Sequence, residues 1–248
     1  MTTYLVTGAS GKLGSQIIRH LPGATGMVRH HDSAPPLRYG DYDNPDSLAR
    51  AFQDVDRLVL VSSPESDPAV RLRQHATAID AAVAAGVCHI TYTSAFGAQH
   101  GGDHLETERL LEATGMNVAI LRNGLYTEAF VERALDELPS GSITSGAGPA
   151  RIATASRDDL AEAAAGASAD GATGVFELRG PAWNYDELAQ LLGVAHVDTE
   201  RADSFAPLFR LARGGAFAQE AEGLASLLGR EPETIGDVVR RLRRDKQS

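Results

Sequence analysis

Three glycines near the amino terminus have the spacing of a site that binds phosphate groups. Gly8, Gly11 and Gly14 follow a short β-prone segment and lead into a stretch where apolar residues recur at helical spacing. Gly8 permits a tight turn, Gly11 lets the backbone approach a pyrophosphate with no Cβ in the way, and Gly14 lets a helix pack closely on a sheet. The first N–H groups of that helix then point at the phosphates. This order of strand, glycine turn and helix predicts a dinucleotide-binding unit.

The end of the second predicted strand distinguishes the two nicotinamide dinucleotides. An NAD(H) site usually has Asp or Glu there, bonding the ribose 2′-hydroxyl. This chain has Arg29, followed by His30 and His31. A guanidinium can bond a 2′-phosphate with two donors, whereas a carboxylate would repel it. The pattern therefore favours NADP(H). An exposed arginine at a strand end is the alternative, and Lys12 is either a second phosphate contact or a solvated side chain.

Further elements continue the alternation of strand and helix. We predict strands at residues 25–29, 58–61, 89–93 and 118–121, and helices at 43–52, 69–85 and 105–113. Such alternation with short connections is typical of a doubly wound parallel sheet. The prediction is an α/β Rossmann fold with an NADP(H)-binding core over residues 1–125. A smaller, mostly helical substrate-covering part is predicted over residues 126–248, from which residues 151–180 return to the core.

Composition and charge narrow the function classes. The net charge of −10 argues against a nucleic-acid partner and against charge-driven membrane attachment, because both need a basic face. No stretch has the ~20 apolar residues of a membrane helix. Cys88 is the single cysteine and cannot form an internal disulfide, so we expect a cytoplasmic protein with Cys88 in its core. The basic residues between 240 and 246 are expected to be a solvated helix end.

Short motifs spread over most of the chain carry a family resemblance. They are TGASGKLG at residues 7–14, VSS at 61–63, YTS at 92–94, HLETE at 104–108, LRNGLY at 121–126 and RIATA at 151–155. This set resembles the NmrA-like branch of the atypical short-chain dehydrogenases, and within it the NADPH-dependent quinone oxidoreductase type. The resemblance implies NADPH-dependent hydride transfer to a small quinone, enone or carbonyl compound.

The resemblance also implies which residues contact the cofactor. The pyrophosphate loop would comprise Gly8, Ser10, Gly11, Lys12 and Leu13, and the further contacts would be Arg29 at the 2′-phosphate, Asp41 and Tyr42 near the adenine, Ser62 and Ser63 along the cofactor, and Asn123, Gly124, Leu125 and Tyr126 beside the nicotinamide.

The catalytic candidates are His104, Tyr126 and Asn123. No Tyr-x-x-x-Lys pair follows the fifth strand, and the resemblance places His104 where several relatives have an active-site lysine. Imidazole titrates near neutral pH, so His104 is a candidate proton donor; the alternative is a helix-start histidine near phosphates or solvent. Tyr126 could donate to a substrate carbonyl or serve in packing. No metal site is expected, because the histidine spacing of a zinc site is missing.

The missing Tyr-x-x-x-Lys pair and Ala129 leave other functions open, and a third departure from the family pattern concerns adenine binding. Ala129 follows Glu128 where quinone-reducing relatives often have Asn, and the segment from Arg29 to Asp41 is short and contains Pro35 and Pro36. The alternatives are an NADP(H)-sensing regulatory protein without catalysis, and an enzyme that keeps the cofactor bound for isomerisation or dehydration. The oligomeric state is open, with a homodimer as one option.

Overall fold

The structure, a computed structural model, describes residues 2–30, 37–200 and 203–246. The strands in these ranges are β1 (Tyr4–Val6), β2 (Thr25–Val28), β3 (Leu37–Tyr39), β4 (Arg57–Val61), β5 (His89–Ala95), β6 (Asn117–Asn123), β7 (Leu125–Tyr126), β8 (Ser142–Ser145), β9 (Ile152–Ala155), β10 (Gly174–Leu178), β11 (Ala182–Trp183) and β12 (Ala195–Asp198). The helices are α1 (Lys12–His20), α2 (Pro45–Ala51), α3 (Pro68–Ala85), α4 (Asp103–Ala113), α5 (Thr127–Glu137), α6 (Arg157–Asp170), α7 (Tyr185–Leu192), α8 (Ala206–Arg213), α9 (Glu222–Leu228) and α10 (Ile235–Asp245).

The main sheet has the strand order β10-β6-β5-β4-β1-β2-β3 in the described part of the chain. The pairings from β3 across to β6 are parallel. The chain leaves β1 in one direction through β2 and β3, then returns to place β4 on the other side of β1. This reversal of strand order opens a crevice at the carboxyl ends of β1 and β4, where open α/β sheets bind ligands. The predicted Rossmann fold is confirmed.

Strand β3 was not predicted from the sequence. Leu37–Tyr39 pairs in parallel with β2 and adds an edge strand to the sheet. Three residues are too few for a period-two pattern to show in the sequence. His31, Pro35 and Pro36 lie outside the described residues.

Side-chain and glycine caps set the ends of the helices around the sheet. The Asn44 side chain accepts a hydrogen bond from the Ser47 N–H and starts α2. The Asp67 carboxylate accepts from two N–H groups at the start of α3, which ends at Gly86 with φ 74°. Caps of this kind satisfy the N–H and C=O groups that a helix leaves unpaired at its ends. They fix the 18-residue α3, which carries His75 to the core of the first unit.

The first of two compact units comprises Met1–Asn123 and Leu160–Glu177. Its core is a cluster of buried side chains from the sheet and from α2, α3 and α4. Representative members are Leu5, Leu48, Phe52, Leu58, Ile90, Tyr92 and Leu111.

The second unit comprises Gly124–Asp159 and Leu178–Ser248. Within its described residues, β11, β9 and β7 form a small sheet, and β12 pairs with β8. Its core contains an aromatic cluster in which Trp183 packs against Phe130 and Tyr185, with ring centroids 5.4 and 5.5 Å apart. The unit also contains α5, a helix that the sequence analysis did not predict.

Two expectations from the sequence are wrong. Cys88 is exposed, because it precedes the first residue of β5 and lies outside the sheet core. Arg241 is not a solvated cation: it contacts Glu128, whose side chain is 1% exposed, and Glu233. None of the helices in the described ranges is long and apolar enough to cross a membrane.

Candidate functional site

A cleft in the first unit brings together most of the predicted cofactor contacts. It lies at the carboxyl ends of β1, β2 and β4, the crevice that the strand order creates. The predicted contacts that line it are Gly8, Ser10, Gly11, Lys12, Leu13, Arg29, Asp41, Tyr42, Ser62 and Ser63. Segments that are separate in the sequence therefore line one cleft.

The glycine turn has a backbone that larger residues could not adopt. Gly8 has φ +61°, in the left-handed region. A Cβ on Gly14 would lie 2.3 Å from the carbonyl oxygen of Gly8, and a Cβ on Gly11 would lie 3.1 Å from the same atom. The turn is closed by the Gly11 N–H, which donates to the Gly8 carbonyl at 2.9 Å. Helix α1 therefore begins directly behind the loop, with its first N–H groups and its positive dipole end at the cleft.

Arg29 follows the last residue of β2 at the rim of the cleft. Its side chain is exposed, and no carboxylate among the described residues forms an ion pair with it. Burial raises the pKa of the Tyr42 hydroxyl, and the positive charge of Arg29 lowers that pKa by a smaller amount. An exposed arginine at this end of β2 can bind a phosphate.

Tyr42 ties two strand ends together beneath the cleft. Its hydroxyl lies 2.5 Å from Thr7 Oγ1 and 2.7 Å from the Val61 carbonyl oxygen. The Thr7 Oγ1 atom also accepts the Val61 N–H at 2.8 Å. Because these bonds join the ends of β1 and β4, Tyr42 fixes the floor of the crevice. Asp41 and Tyr42 both line the cleft. Their contact with adenine stays a prediction.

Ser62 and Ser63 follow β4 and connect the cleft to α3. The Ser62 N–H donates to Thr93 Oγ1 at 2.9 Å. The Ser63 hydroxyl donates to the side-chain oxygen of Gln74, and its N–H donates to His75 Nε2 at 3.0 Å. The cleft wall is therefore held by two polar side chains of α3 that are themselves buried.

A buried hydrogen-bond network leads from Ser63 to His104. His75 Nδ1 lies 3.0 Å from Thr107 Oγ1, and the Thr107 hydroxyl donates to the Asp103 carbonyl oxygen at 2.8 Å. The Tyr92 hydroxyl lies 2.8 Å from His104 Nδ1 and 3.4 Å from His75 Nδ1. We call Ser63, His75, Thr107, Tyr92 and His104 the histidine network.

Burial controls the protonation of the histidine network. Desolvation lowers the pKa of His75 to about 4, with the nearby His104 adding to the effect. Burial also lowers the pKa of His104 and raises the pKa of Tyr92. Each of these directions favours the neutral form, because taking a charge out of water is costly. The expectation of an imidazole that titrates at its ordinary value therefore does not hold for His104.

His75 and Thr107 are not predicted as site residues from the sequence, and Tyr92 enters only as part of a motif. His75 lies on a helix that reads as alanine-rich, and Thr107 lies inside the HLETE motif. The available signal was weak: one polar residue on the buried face of each of two helices. Such a residue is more often a satisfied core group than part of a site, and only the structure shows that these two face each other.

Ion pairs surround the histidine network. Arg71 on α3 pairs with Asp103 on α4, and this contact holds the pKa of the Asp103 carboxyl below its usual range. The Glu108 carboxylate, 2% exposed, accepts from Ser94 Oγ at 2.6 Å and from Arg122 at 2.7 Å. These contacts pin the first two turns of α4, and with them His104, to α3 and to the sheet.

The remaining predicted residues are divided between the two units. Asn123 ends β6 in the first unit and is not among the residues that line the cleft. Its buried Oδ1 has no hydrogen-bond partner within the described ranges. Gly124, Leu125 and Tyr126 belong to the second unit. Gly124 is needed for packing, since a Cβ there would lie 2.8 Å from the Leu178 carbonyl oxygen.

Tyr126 is a half-buried residue of the second unit, with Arg157 and Glu128 nearby. The Arg157 guanidinium lies 5.3 Å from the centroid of its ring, and burial raises the pKa of its hydroxyl. Among the described residues there is no group of three metal-ligating side chains that could hold an ion.

The cleft residues fit a phosphorylated dinucleotide. Such a ligand needs three elements: glycines where a Cβ would clash, a helix start behind them, and an arginine at the strand end that has no acidic partner in the described ranges. The glycines and the helix start would hold the pyrophosphate, and the arginine would hold a 2′-phosphate. A nicotinamide group bound there would supply a hydride.

Sequence comparison places the chain among known proteins. A sequence model described as NAD(P)H-binding matches residues 8–170. Quinone oxidoreductase 2 of Escherichia coli strain K12 is 32% identical over 96% of this chain and 97% of that protein. This relative confirms the resemblance to the quinone oxidoreductase type that the motifs indicate.

Structural comparison agrees with the sequence. The triphenylmethane reductase of Citrobacter sp., solved in complex with NADP(H), has a TM-score of 0.86 and 28% identity, and the match covers 96% of this chain and 99% of that one. An NADPH-dependent quinone oxidoreductase of Escherichia coli, solved with NADPH, has a TM-score of 0.84 and 30% identity, over 97% of this chain and 100% of that one.

Proposed function

The chain belongs to the NAD(P)H-binding family, and we propose that it is an NADPH-dependent oxidoreductase that reduces a small quinone, enone or other carbonyl compound. The observation that carries the cofactor choice is Arg29, which lies at the cleft rim without an acidic partner among the described residues. A carboxylate at this position would repel the 2′-phosphate, whereas a guanidinium binds it.

The chain's own residues bind and orient the cofactor. The glycine turn and the start of α1 hold the pyrophosphate, Arg29 holds the 2′-phosphate, and Ser62 and Ser63 line the path between them and the histidine network. When bound, NADPH supplies the hydride, and a proton from solvent completes the reduction of the acceptor. The protein contributes binding, orientation and electrostatics to such chemistry.

The acceptor class follows from what this site lacks and from the relatives. A quinone oxidoreductase and a triphenylmethane reductase are each named for an electron-poor, conjugated acceptor. Such acceptors take a hydride with little help from an acid, so the missing Tyr-x-x-x-Lys pair is tolerable. His104, Tyr126 and Asn123 are the proposed catalytic residues, with His104 as the group that contacts the acceptor oxygen.

Purified protein should oxidise NADPH when given a suitable acceptor. We expect turnover with NADPH to exceed turnover with NADH by at least tenfold, because the 2′-phosphate interaction contributes more than about 1.4 kcal/mol. The assay follows absorbance of the reduced nicotinamide with a panel containing a benzoquinone, an enone, an aldehyde and a triphenylmethane dye. Product analysis identifies which compound is reduced.

Two other outcomes would replace this proposal. Tight binding of NADPH with no turnover on the whole panel would favour a regulatory protein that senses NADP(H). Conversion of a compound to an isomer or a dehydrated product, with no net oxidation of NADPH, would favour an enzyme that retains its cofactor.

A further inference from the structure

The backbone N–H of Ser63 determines which atoms of the histidine network donate hydrogen bonds and which accept them. The Ser63 N–H can only donate, and it donates to His75 Nε2 at 3.0 Å. His75 Nε2 is therefore unprotonated, and the proton of this neutral imidazole is on Nδ1. That Nδ1–H points at Thr107 Oγ1, whose own hydrogen is used in the bond to the Asp103 carbonyl oxygen.

The donor and acceptor assignment can be extended from His75 to His104. His75 Nδ1 carries a hydrogen and cannot accept one, and the Thr107 and Ser62 hydroxyls also lie near the Tyr92 hydroxyl. We assign His104 Nδ1, at 2.8 Å, as the acceptor of the Tyr92 hydrogen. His104 Nδ1 is then unprotonated and its Nε2 carries the hydrogen. The side chain is partly exposed, and Nε2 has no hydrogen-bond partner in the described parts of the chain.

We infer that His104 acts as a neutral hydrogen-bond donor through its Nε2–H, and that Tyr92 and His75 are positioning residues that hold it in this tautomer. The inference rests on the proposed oxidoreductase function for the identity of the acceptor, a carbonyl or quinone oxygen. In this role His104 stabilises negative charge that develops on the oxygen as the hydride arrives, and it keeps its proton.

Burial outweighs the charges around His104 and favours a neutral ring. Its own helix α4 presents Asp103 and Glu108, α3 presents Arg71 and His75, and β5 presents Tyr92. Asp103 and Glu108 each raise the pKa of His104, but Asp103 is paired with Arg71 and Glu108 with Arg122, and the Arg71 charge lowers that pKa. Burial of the ring lowers the pKa of His104, in agreement with the tautomer that the hydrogen bonds require.

Imidazole NMR on the protein without cofactor tests the tautomer directly. Correlation spectra between the ring nitrogens and carbon-bound protons distinguish a protonated nitrogen from an unprotonated one. At pH 7 we expect His104, assigned by the loss of its signals in His104→Gln, to show an unprotonated Nδ1 and a protonated Nε2. A doubly protonated ring, or a proton on Nδ1, would overturn the inference.

Tyr92→Phe tests the positioning role, with Tyr185→Phe as its control. Tyr185 is a fully buried tyrosine of the second unit, outside the histidine network. We expect Tyr92→Phe to show a mixture of His104 tautomers and a kcat about tenfold lower, with the KM for NADPH unchanged. Tyr185→Phe should change neither. Equal effects of the two variants on kcat, or an unchanged tautomer in Tyr92→Phe, would contradict the inference.

The pH profile separates a neutral donor from an acid. A neutral donor needs no added proton, so kcat should stay constant as the pH rises from 7 to 8.5. An imidazolium acid would give a different profile, with kcat falling as the pH rises. The NMR result remains decisive even if no acceptor is turned over, and that failure would count only against the proposed function.

Discussion

Single residues in this protein bear on the choice of nicotinamide dinucleotide, which the fold alone does not determine. The Rossmann scaffold accepts either nicotinamide dinucleotide, and the two differ by one phosphate on the adenosine ribose. Arg29 lies at the strand end where we expect that phosphate to bind. The residue was found from the sequence because its position follows from the distance to the glycine turn. His75 was not found, because its role depends on residues far away in the sequence.

Replacing Arg29 should alter the affinity for NADPH without altering the fold. Loss of a charge-assisted bidentate contact costs about 1.5–3 kcal/mol, so Arg29→Ala should weaken NADPH binding by roughly 10- to 100-fold. Arg29→Glu should weaken it further, since its carboxylate repels the phosphate. Calorimetry with NADPH and NADH measures both effects. Arg50→Ala is the matched control, because Arg50 is an exposed arginine on α2 outside the cleft wall. A similar loss in both alanine variants would show that the effect is not specific to Arg29.

The secondary structure elements of the first unit could be predicted better than those of the second. Strands such as β4, a continuous apolar run, and helices with visible caps, such as α3, are encoded locally. Helix α5 has no such signal at its start: its N-cap is Tyr126, which makes no side-chain capping bond. Its conformation depends on packing within the second unit, where Phe130 meets Trp183. The contacts of Arg241 could not be predicted for the same reason, because Glu128 is 113 residues away in the sequence.

The ion pair between α10 and α5 should be strongly stabilising relative to a broken pair. Arg241 contacts Glu128 at 3.0 Å, and that carboxylate also accepts the Arg157 N–H at the start of α6. Arg241→Met would leave a buried carboxylate without its cation, which costs about 3 kcal/mol. The free energy of unfolding in urea measures the loss. The control is Arg240→Met, since Arg240 forms an exposed pair with Asp237 and should contribute less than about 1 kcal/mol. Equal losses of unfolding free energy in the two variants would show that the buried Glu128 pair contributes no more than the exposed pair.

The stability of the whole molecule should depend on pH through a buried neutral histidine. The pKa of His75 is about 4 in the folded protein and ~6.5 in the unfolded chain. Between these values the unfolded state binds the additional proton, so acid favours unfolding. The contribution of His75 is fully present above pH 6.5 and is lost as the pH falls toward 4.

Urea unfolding between pH 7 and pH 5 measures this contribution. A group with such a shift contributes a slope of about 1 kcal/mol per pH unit below its unfolded pKa, superimposed on the effects of other groups. His75→Gln should be less stable at pH 7 but should lose less stability on acidification. His100→Gln, which changes an exposed histidine, should follow the wild type. Parallel pH profiles for wild type and His75→Gln would show that His75 is not the source.

The exposed Cys88 gives the protein a practical property. Because the chain has a single thiol, a maleimide dye or nitroxide spin label would attach at one defined position without any engineering. The position precedes the amino end of β5, whereas the cleft lies at the carboxyl ends of the parallel strands. A reporter there would sit at the opposite edge of the sheet from the nucleotide crevice, so fluorescence or resonance experiments could follow ligand titrations without obstructing them.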